Sequence, residues 1–302
     1  MTDPMFTFSS REAGFPSKLL ALSEPPDRVW LRGTWDERRP CIAIVGARAC
    51  WKNNAQLAHH IAKNLAAEGI AIVSGGALGI DAAAHQGALD AQAPTCAVLG
   101  TGVDVAYPMR NQSLFSHIAE QGCLLSSFPP GSPPAAWRFP LRNQWIAALA
   151  DVVLLIQSPP SSGSRYTANT AHLLGRPVAT IAGCMDSADL IATGTATPTD
   201  SIAQIMRLLP GAPAPKSSTA QDHLPWLPTP PVTDALSPTE DTARIAALLS
   251  DLPQDLGALS HHSGVPISAC AVALLELELQ GRCVRLPGDR YKRLLAPTQK
   301  TS

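Results

Sequence analysis

Short unbroken apolar runs recur through the first two thirds of the chain, each ending in a turn of small residues. Cys41 to Gly46 (CIAIVG) shows no polar alternation, so it reads as a strand buried on both faces. Leu57, Ile61 and Leu65 then recur four apart, which predicts a helix with one apolar face, and Gly69 ends it. Ile70 to Val73 is a second buried strand, followed by Ser74-Gly75-Gly76-Ala77-Leu78-Gly79. Strand, helix and strand within about 30 residues predict a parallel βαβ unit whose two glycine turns share one sheet edge. The same grammar predicts helices over Asp81 to Ala91, Gln112 to Gln121 and Thr167 to Leu174. It predicts further strands over Cys96 to Leu99, Cys123 to Ser126, Val152 to Ile156 and Val178 to Ala182. Strands in series, each followed by a turn and most by a helix, give an α/β class with a doubly wound, mostly parallel sheet.

The flanking segments differ in texture. Residues 1–14 read as a mobile tail, Arg28 to Gly33 as a short edge strand, and Asp36 to Arg39 as a charged turn. Leu209 to Pro238 holds eight prolines with Ala, Ser and Thr between them, a semi-stiff linker that cannot bury a core. Trp226 within it is either docked on a domain or exposed. Periodicity returns with helices over Glu240 to Ser250, Asp255 to His261 and Pro266 to Gln280. A hairpin of Cys283 to Leu286 and Tyr291 to Leu294 follows, with Pro287 to Arg290 between its strands, and completes a small winged helix. The expected division is 1–40 as an N-terminal extension and edge segment, 41–208 as the core, 209–238 as linker and 239–302 as winged helix. The third helix carries Glu276 and Glu278 and no Lys or Arg, although the wing has Arg285, Arg290, Lys292 and Arg293. Phosphates would repel that helix, so protein contact or autoregulation fits it better than base reading.

Charge sharpens this. Lys plus Arg against Asp plus Glu is 6 to 6 over residues 1–40, 9 to 9 over 41–207, 1 to 2 over 208–238 and 7 to 7 over 239–302. No segment is a basic domain, which weighs against a tight nonspecific duplex binder. The seven cysteines form no C-x-x-C pair and have no histidine at metal-finger spacing, so no metal site is expected. They read as buried thiols of a reducing cytoplasm. The longest apolar run, Ile146 to Ile156, contains Asp151 and is too short to span a bilayer, so a soluble protein with no membrane contact is expected.

The candidate chemistry lies in the turns. Gly46, Gly75, Gly76 and Gly79 lack Cβ atoms, so a ligand could approach the backbone N–H groups, and the following helix N-termini add partial positive charge. Arg48 adds a forked cation. The plainer alternative is that the glycines only make tight turns. Phe139, Arg142 and Asn143 put an aromatic, a cation and an amide on one loop, able to stack a base and hold a phosphate, or else to fold back into the core. Ser162-Gly163-Ser164 is an anion cradle or a helix cap. Asp81 and His85, four apart, are an acid–base pair or, more simply, a helix cap and a satisfied neighbour. The turn Gly46 to Trp51 is not G-x-G-x-x-G, and the chain has no P-loop, G-x-S-x-G elbow or H-E-x-x-H.

Several stretches together resemble the DNA-processing protein A (DprA/Smf) family. They are Gly46-Ala47-Arg48; Ser74 to Asp81 with Ala84-His85; Leu99 to Asp104 with Tyr107-Pro108 and Asn111; and Pro129-Pro130-Gly131. Phe139 with Arg142-Asn143, Ser162-Gly163-Ser164 with Thr167-Ala168, and Gly175-Arg176 complete the series, and the winged helix matches too. The resemblance implies a Rossmann-like core that binds single-stranded DNA at the strand ends, usually as a homodimer. It implies a protein that protects incoming single strands and hands them to the RecA recombinase in natural transformation, with no cofactor and no enzymatic activity. By position, Gly46, Arg48 and Lys52 of the first turn, Ser74, Gly75 and Gly79 of the second, and Asn111 would line the pocket. Phe139, Arg142, Asn143, Ser162, Gly163, Ser164 and Thr167 would hold the strand. The chain departs from the pattern at Ala47, Leu78, Ser127, Gln144 and Gln157. Leu78 and Gln144 stand where the family has arginines, so DNA affinity is weakened or redirected. The alternatives are a nucleotide sensor or nucleoside-phosphate hydrolase of the same superfamily, or a scaffold with a vestigial pocket. The hydrolases carry a P-G-G-x-G-T-x-x-E stretch that is missing here.

Overall fold

The computed structural model describes residues 5–159, 162–182, 185–211, 240–279, 282–286 and 290–293. The chain divides into two compact units, Met1–Pro228 and Thr229–Ser302. The described residues of the first unit include β1 (Met5–Ser9), β2 (Arg28–Gly33), β3 (Cys41–Gly46), β4 (Ala71–Ser74) and β5 (Thr95–Val98). They continue with β6 (Cys123–Ser126), β7 (Val152–Ile156), β8 (Val178–Ile181) and β9 (Thr197–Thr199). These form a nine-stranded sheet in the order β1-β2-β6-β5-β4-β3-β7-β8-β9. Pairing is parallel from β6 to β9 and antiparallel at β1 and β2. The chain winds outward from β3 through β4 and β5 to β6, then returns to lay β7 against the other side of β3. In such a sheet the crevice outside the carboxyl ends of β3 and β7 is where ligands bind.

The helices are α1 (Lys52–Ala67), α2 (Ile80–Asp90), α3 (Gln112–Gln121), α4 (Arg138–Leu149), α5 (Gly163–Leu173), α6 (Ala188–Ala192) and α7 (Ile202–Arg207). Alternation along the central strand sorts its apolar residues onto two faces. Cys41, Ala43 and Val45 pack with Trp145, Ile146 and Ala168 of α4 and α5. Ile42 and Ile44 pack with Leu57, Ile61 and Leu65 of α1 and Ala84 and Ala88 of α2. Ile42, Ile44, Ile61 and Leu65 are wholly buried, each contributing about 1.5–3 kcal/mol of transfer free energy. That double cover is why the strands read as unbroken apolar runs.

Three expectations are corrected. Residues 5–9 of the supposed tail are a strand: β1 pairs with β2 from Met5 opposite Arg32 to Ser9 opposite Arg28, and Phe8 packs against the core. Phe139, Arg142 and Asn143 lie on α4 rather than on a loop. Pro140 sits in the first turn of that helix, where its missing N–H costs no hydrogen bond. Finally, α5 begins at Gly163, so the serine turn is the helix start itself. Of the linker expected at 209–238, Leu209 is instead buried in the core of the first unit, and residues 212–238, with Trp226, lie outside the described residues, as does the wing tip at 287–289.

The second unit is a winged helix. It comprises α8 (Glu240–Leu248), β10 (Gln254–Asp255), α9 (Leu256–Ser263), α10 (Ile267–Leu279), β11 (Cys283–Leu286) and β12 (Arg290–Arg293), with strand order β10-β12-β11. Ile245, Leu259, Leu274 and Leu277 form its core. Asp255 caps α9, accepting a hydrogen bond from Ala258 N at 2.7 Å. No described helix is long and apolar enough to cross a membrane.

Candidate functional site

Two adjoining hollows open at the carboxyl edge beside the β3–β7 crevice. The first, about 350 Å³, is lined by Gly46, Ala47 and Arg48 after β3 and by Ser162, Gly163, Ser164 and Thr167 at the start of α5, with Asn143 from α4. The second, about 120 Å³, is lined by Gly75, Leu78, Leu99, Gly100, Tyr107, Pro108 and Phe139. Arg48 and Arg142 line both. Arg48 is exposed, and its guanidinium carbon lies 5.4 Å from the centre of the Phe139 ring, a cation–π distance. The Tyr107 ring is 5.6 Å from that of Phe139. The first lobe is thus the more polar of the two, with serine, threonine and asparagine side chains among apolar ones, and the second is mostly apolar and aromatic, with the exposed Arg48 between them.

Arg142 plays a different part. It is buried, and its Nη1 donates to Val98 O at 2.7 Å beneath the pocket. Its Nε has no hydrogen-bond partner. Gly75 makes room for it: a Cβ there would fall 1.9 Å from Arg142 Nη1 and 2.7 Å from Asp81 Oδ2. Burial lowers the Arg142 pKa to about 10 despite the pull of Asp81. Burial raises the Asp81 pKa, opposed chiefly by the Arg142 charge. Arg142 is therefore built into the floor, and its field reaches the hollow from below.

Neither Asp81 nor His85 has the role expected of it. Gly79, not Asp81, precedes α2 as its cap residue, and the Asp81 carboxylate accepts from Ala77 N at 3.3 Å. His85 Nδ1 lies 2.7 Å from Thr95 Oγ1, while its Nε2 is buried without a partner. Burial, aided by Arg142, pushes the His85 pKa down to about 3, so the ring is neutral. It is no general acid at neutral pH, and its lone bond makes it only half satisfied.

Other candidates support the turns from behind. The Ser74 hydroxyl is wholly buried and donates to Ile44 O at 2.6 Å. Asn111 Nδ2 donates to Gly76 O at 2.9 Å and Ala77 O at 3.2 Å, bracing the second turn. Gly79 has φ +83°, and a Cβ there would lie 2.4 Å from Ala47 O, so only glycine lets the two turns stack. Lys52 faces away, into a groove with Gln56, His59 and Gln86 between α1 and α2. Around α5 the hydroxyls of Ser158, Ser162 and Ser164 lie 2.8 to 3.1 Å apart, and Asn143 Nδ2 donates to Gly163 O at 3.0 Å. Gln157, one of the departures from the family pattern, braces the site in a way its residue type alone does not signal. It adopts φ +50°, its carbonyl accepts from Ala47 N at 2.9 Å, and its Oε1 accepts from Trp51 N at 3.0 Å and Asn54 Nδ2 at 2.9 Å. It ties the turn after β7 to the turn after β3. Leu99 and Tyr107 of the second hollow belong to a stretch that carries the family resemblance but were not expected to line the pocket.

Comparison with known proteins agrees with this architecture. Residues 228–289 match the DprA winged helix domain. Protein Smf of Synechocystis sp. is 32% identical over 310 residues, covering 92% of this chain and 78% of that one. The solved structure of DNA processing protein A from Streptococcus pneumoniae has a TM-score of 0.60 at 33% identity, over 65% of this chain and 71% of that one. DNA processing protein A from Helicobacter pylori, whose structure concerns its single-stranded DNA binding mode, has a TM-score of 0.61 at 28% identity, over 68% and 95%. Residues 6–210 match the family described as DNA recombination-mediator protein A, and the chain belongs to that family.

Proposed function

We propose that the protein binds single-stranded DNA at the carboxyl edge of the sheet, working in DNA processing as a non-enzymatic mediator. The observation that carries this is the two-lobed hollow with Arg48 between its lobes. A phosphate in the first lobe would meet the Arg48 guanidinium, the backbone of the Gly46 turn and the start of α5. The attached base would enter the second lobe against Phe139 and Tyr107, because sequence-tolerant stacking is how such proteins hold splayed bases. Arg142, buried in the floor that both lobes share, contributes chiefly its field. With Leu78 and Gln144 at those positions, Arg48 is the one exposed cation among the described residues of the hollow, so affinity rests on stacking more than on charge. On this reading the strand is then passed to a RecA-type recombinase, and the protein acts as a homodimer.

The test is fluorescence anisotropy of a labelled thymine oligomer, and of a duplex of equal length, at two salt concentrations. Expected are preference for the single strand and a loss of affinity in Arg48→Ala, with a salt slope smaller by about 0.7. Equal affinity for duplex and single strand, or an unchanged Arg48→Ala protein, would overturn the assignment.

A further inference from the structure

The exposed aromatic side chains of the first unit are not scattered. Among its described residues, the exposed rings are Phe6, Trp51, Tyr107, Trp137 and Tyr166. Phe6 lies on the edge strand β1. Each of the other four follows the carboxyl end of a different parallel strand: Trp137 after β6, Tyr107 after β5, Trp51 after β3 and Tyr166 after β7. Their exposures are 59%, 43%, 76% and 42% respectively. Since the sheet runs β6-β5-β4-β3-β7, these rings follow one another across the same edge that carries the hollows.

Exposed aromatics cost solvation, yet three of these rings are held and the fourth stands on a fixed backbone. Trp137 packs edge-on against Phe128 at 5.7 Å, with Arg138 at 5.2 Å from its ring. Tyr107 rests on Phe139. The Trp51 backbone is fixed by Gln157. The Tyr166 phenol accepts from Gln144 Nε2 at 2.5 Å. That last contact is notable, because Gln144 stands where the family pattern has an arginine. Here the position spends its side chain on orienting a ring.

We infer that the carboxyl edge carries an aromatic track from Trp137 through Tyr107 and Trp51 to Tyr166, which binds a single strand several nucleotides longer than the hollow holds. This rests on the single-strand reading of the hollow and extends it. From β6 to β7 there are four strand intervals of ~4.8 Å, ~19 Å in all. At ~3.4 Å per nucleotide of a stacked strand, about six nucleotides are the upper limit, and fewer fit where the strand runs extended between separate rings. The rings are separated by polar and glycine turns and, at the hollow, by Arg48, so they form isolated platforms rather than one continuous apolar surface. That is the pattern for a polynucleotide rather than for a continuous apolar partner. The rings of Trp137, Tyr107 and Tyr166, already held in place, lose little freedom on binding, which raises the yield of each stack.

The experiment measures affinity of the full chain for a thymine dinucleotide and for an oligomer several-fold longer, in wild type, Trp51→Ala, Trp137→Ala and Tyr166→Ala. Thermal melts confirm folding. The expected result is that wild type favours the longer oligomer and that each alanine variant cuts the long-to-short affinity ratio by about five-fold or more. Tyr166→Phe, which keeps the ring but loses the Gln144 contact, should lose clearly less of the ratio than Tyr166→Ala. The salt slope should not change in any of them, which separates this effect from that of Arg48. Variants with the wild-type ratio would overturn the track while leaving the hollow's assignment standing. A wild-type protein that binds neither oligomer would overturn both.

Discussion

Replacing Arg142 should damage the fold first, and Asp81 should control how much. In Arg142→Ala the Val98 carbonyl loses a charge-assisted hydrogen bond, worth about 1.5–3 kcal/mol. The buried Asp81 carboxylate loses the charge that opposes its desolvation. Removing one member of a buried charge pair typically costs about 3–5 kcal/mol. For a unit of this size, 1 kcal/mol shifts the melting temperature by roughly 2–4 °C, so a drop of about 6–20 °C is expected. The sign with pH follows from Asp81. Burial already raises its folded pKa above the unfolded value, and loss of Arg142 raises it further. Between those values the folded state holds the extra proton, so stability falls as pH rises through the window. The deficit of Arg142→Ala is therefore larger at pH 8 than at pH 5. The assay is thermal unfolding at both pH values for wild type, Arg142→Ala, Asp81→Asn and the double variant. Most of the loss should return in the double variant, a coupling seen only between residues that interact. An unchanged melting temperature, or strictly additive losses, would refute the buried pair.

Arg48→Ala, at an exposed position, should shift stability by less than about 0.5 kcal/mol while weakening strand binding, which melts and anisotropy read separately. His85, with a folded pKa of about 3 against an ordinary 6.5, stays neutral where the unfolded chain takes a proton. Stability should thus fall as pH drops from about 6.5 towards 3, by up to about 5 kcal/mol, and urea titrations at pH 7 and 4 should show a shallower fall in His85→Asn. Gly79→Ala should cost well over about 1 kcal/mol, because it adds a clash with Ala47 O to backbone strain. Gly69→Ala, at the same φ of +83° but with nothing near its Cβ, isolates the strain alone. Asp255→Ala should cost the second unit about 0.5–2 kcal/mol by uncapping α9, measured as a lower melting temperature of the full chain's winged-helix transition.

The central strands, both glycine turns and the winged helix were legible because each is written locally. A strand covered on both faces is an unbroken apolar run, and a helix with one buried face repeats its apolar residues every three to four positions. What was not legible depends on partners far along the chain. The strand at Met5–Ser9 exists only because Arg28–Gly33 lies beside it. The position of the crevice follows from β7 returning to β3, a fact of strand order that no single stretch records. The two arginines show the limit most clearly. As residue types Arg48 and Arg142 are equivalent phosphate cations, and both line the hollow. Arg48 stands on a turn just after a strand end, and its side chain stays exposed beside the Phe139 ring. Arg142 stands on α4, in the first half of a helix whose inner face meets β3, β4 and β5, so its side chain goes where Gly75 leaves a gap. Gly75 was visible in the sequence as a turn residue, but the vacancy it creates has meaning only once α4 is laid over it. The same glycine that looks like a place for a ligand's phosphate is filled by the protein's own guanidinium. The free surface of the site is therefore displaced towards Gly46, Arg48 and the Ser162 turn, which is where a bound phosphate should be sought.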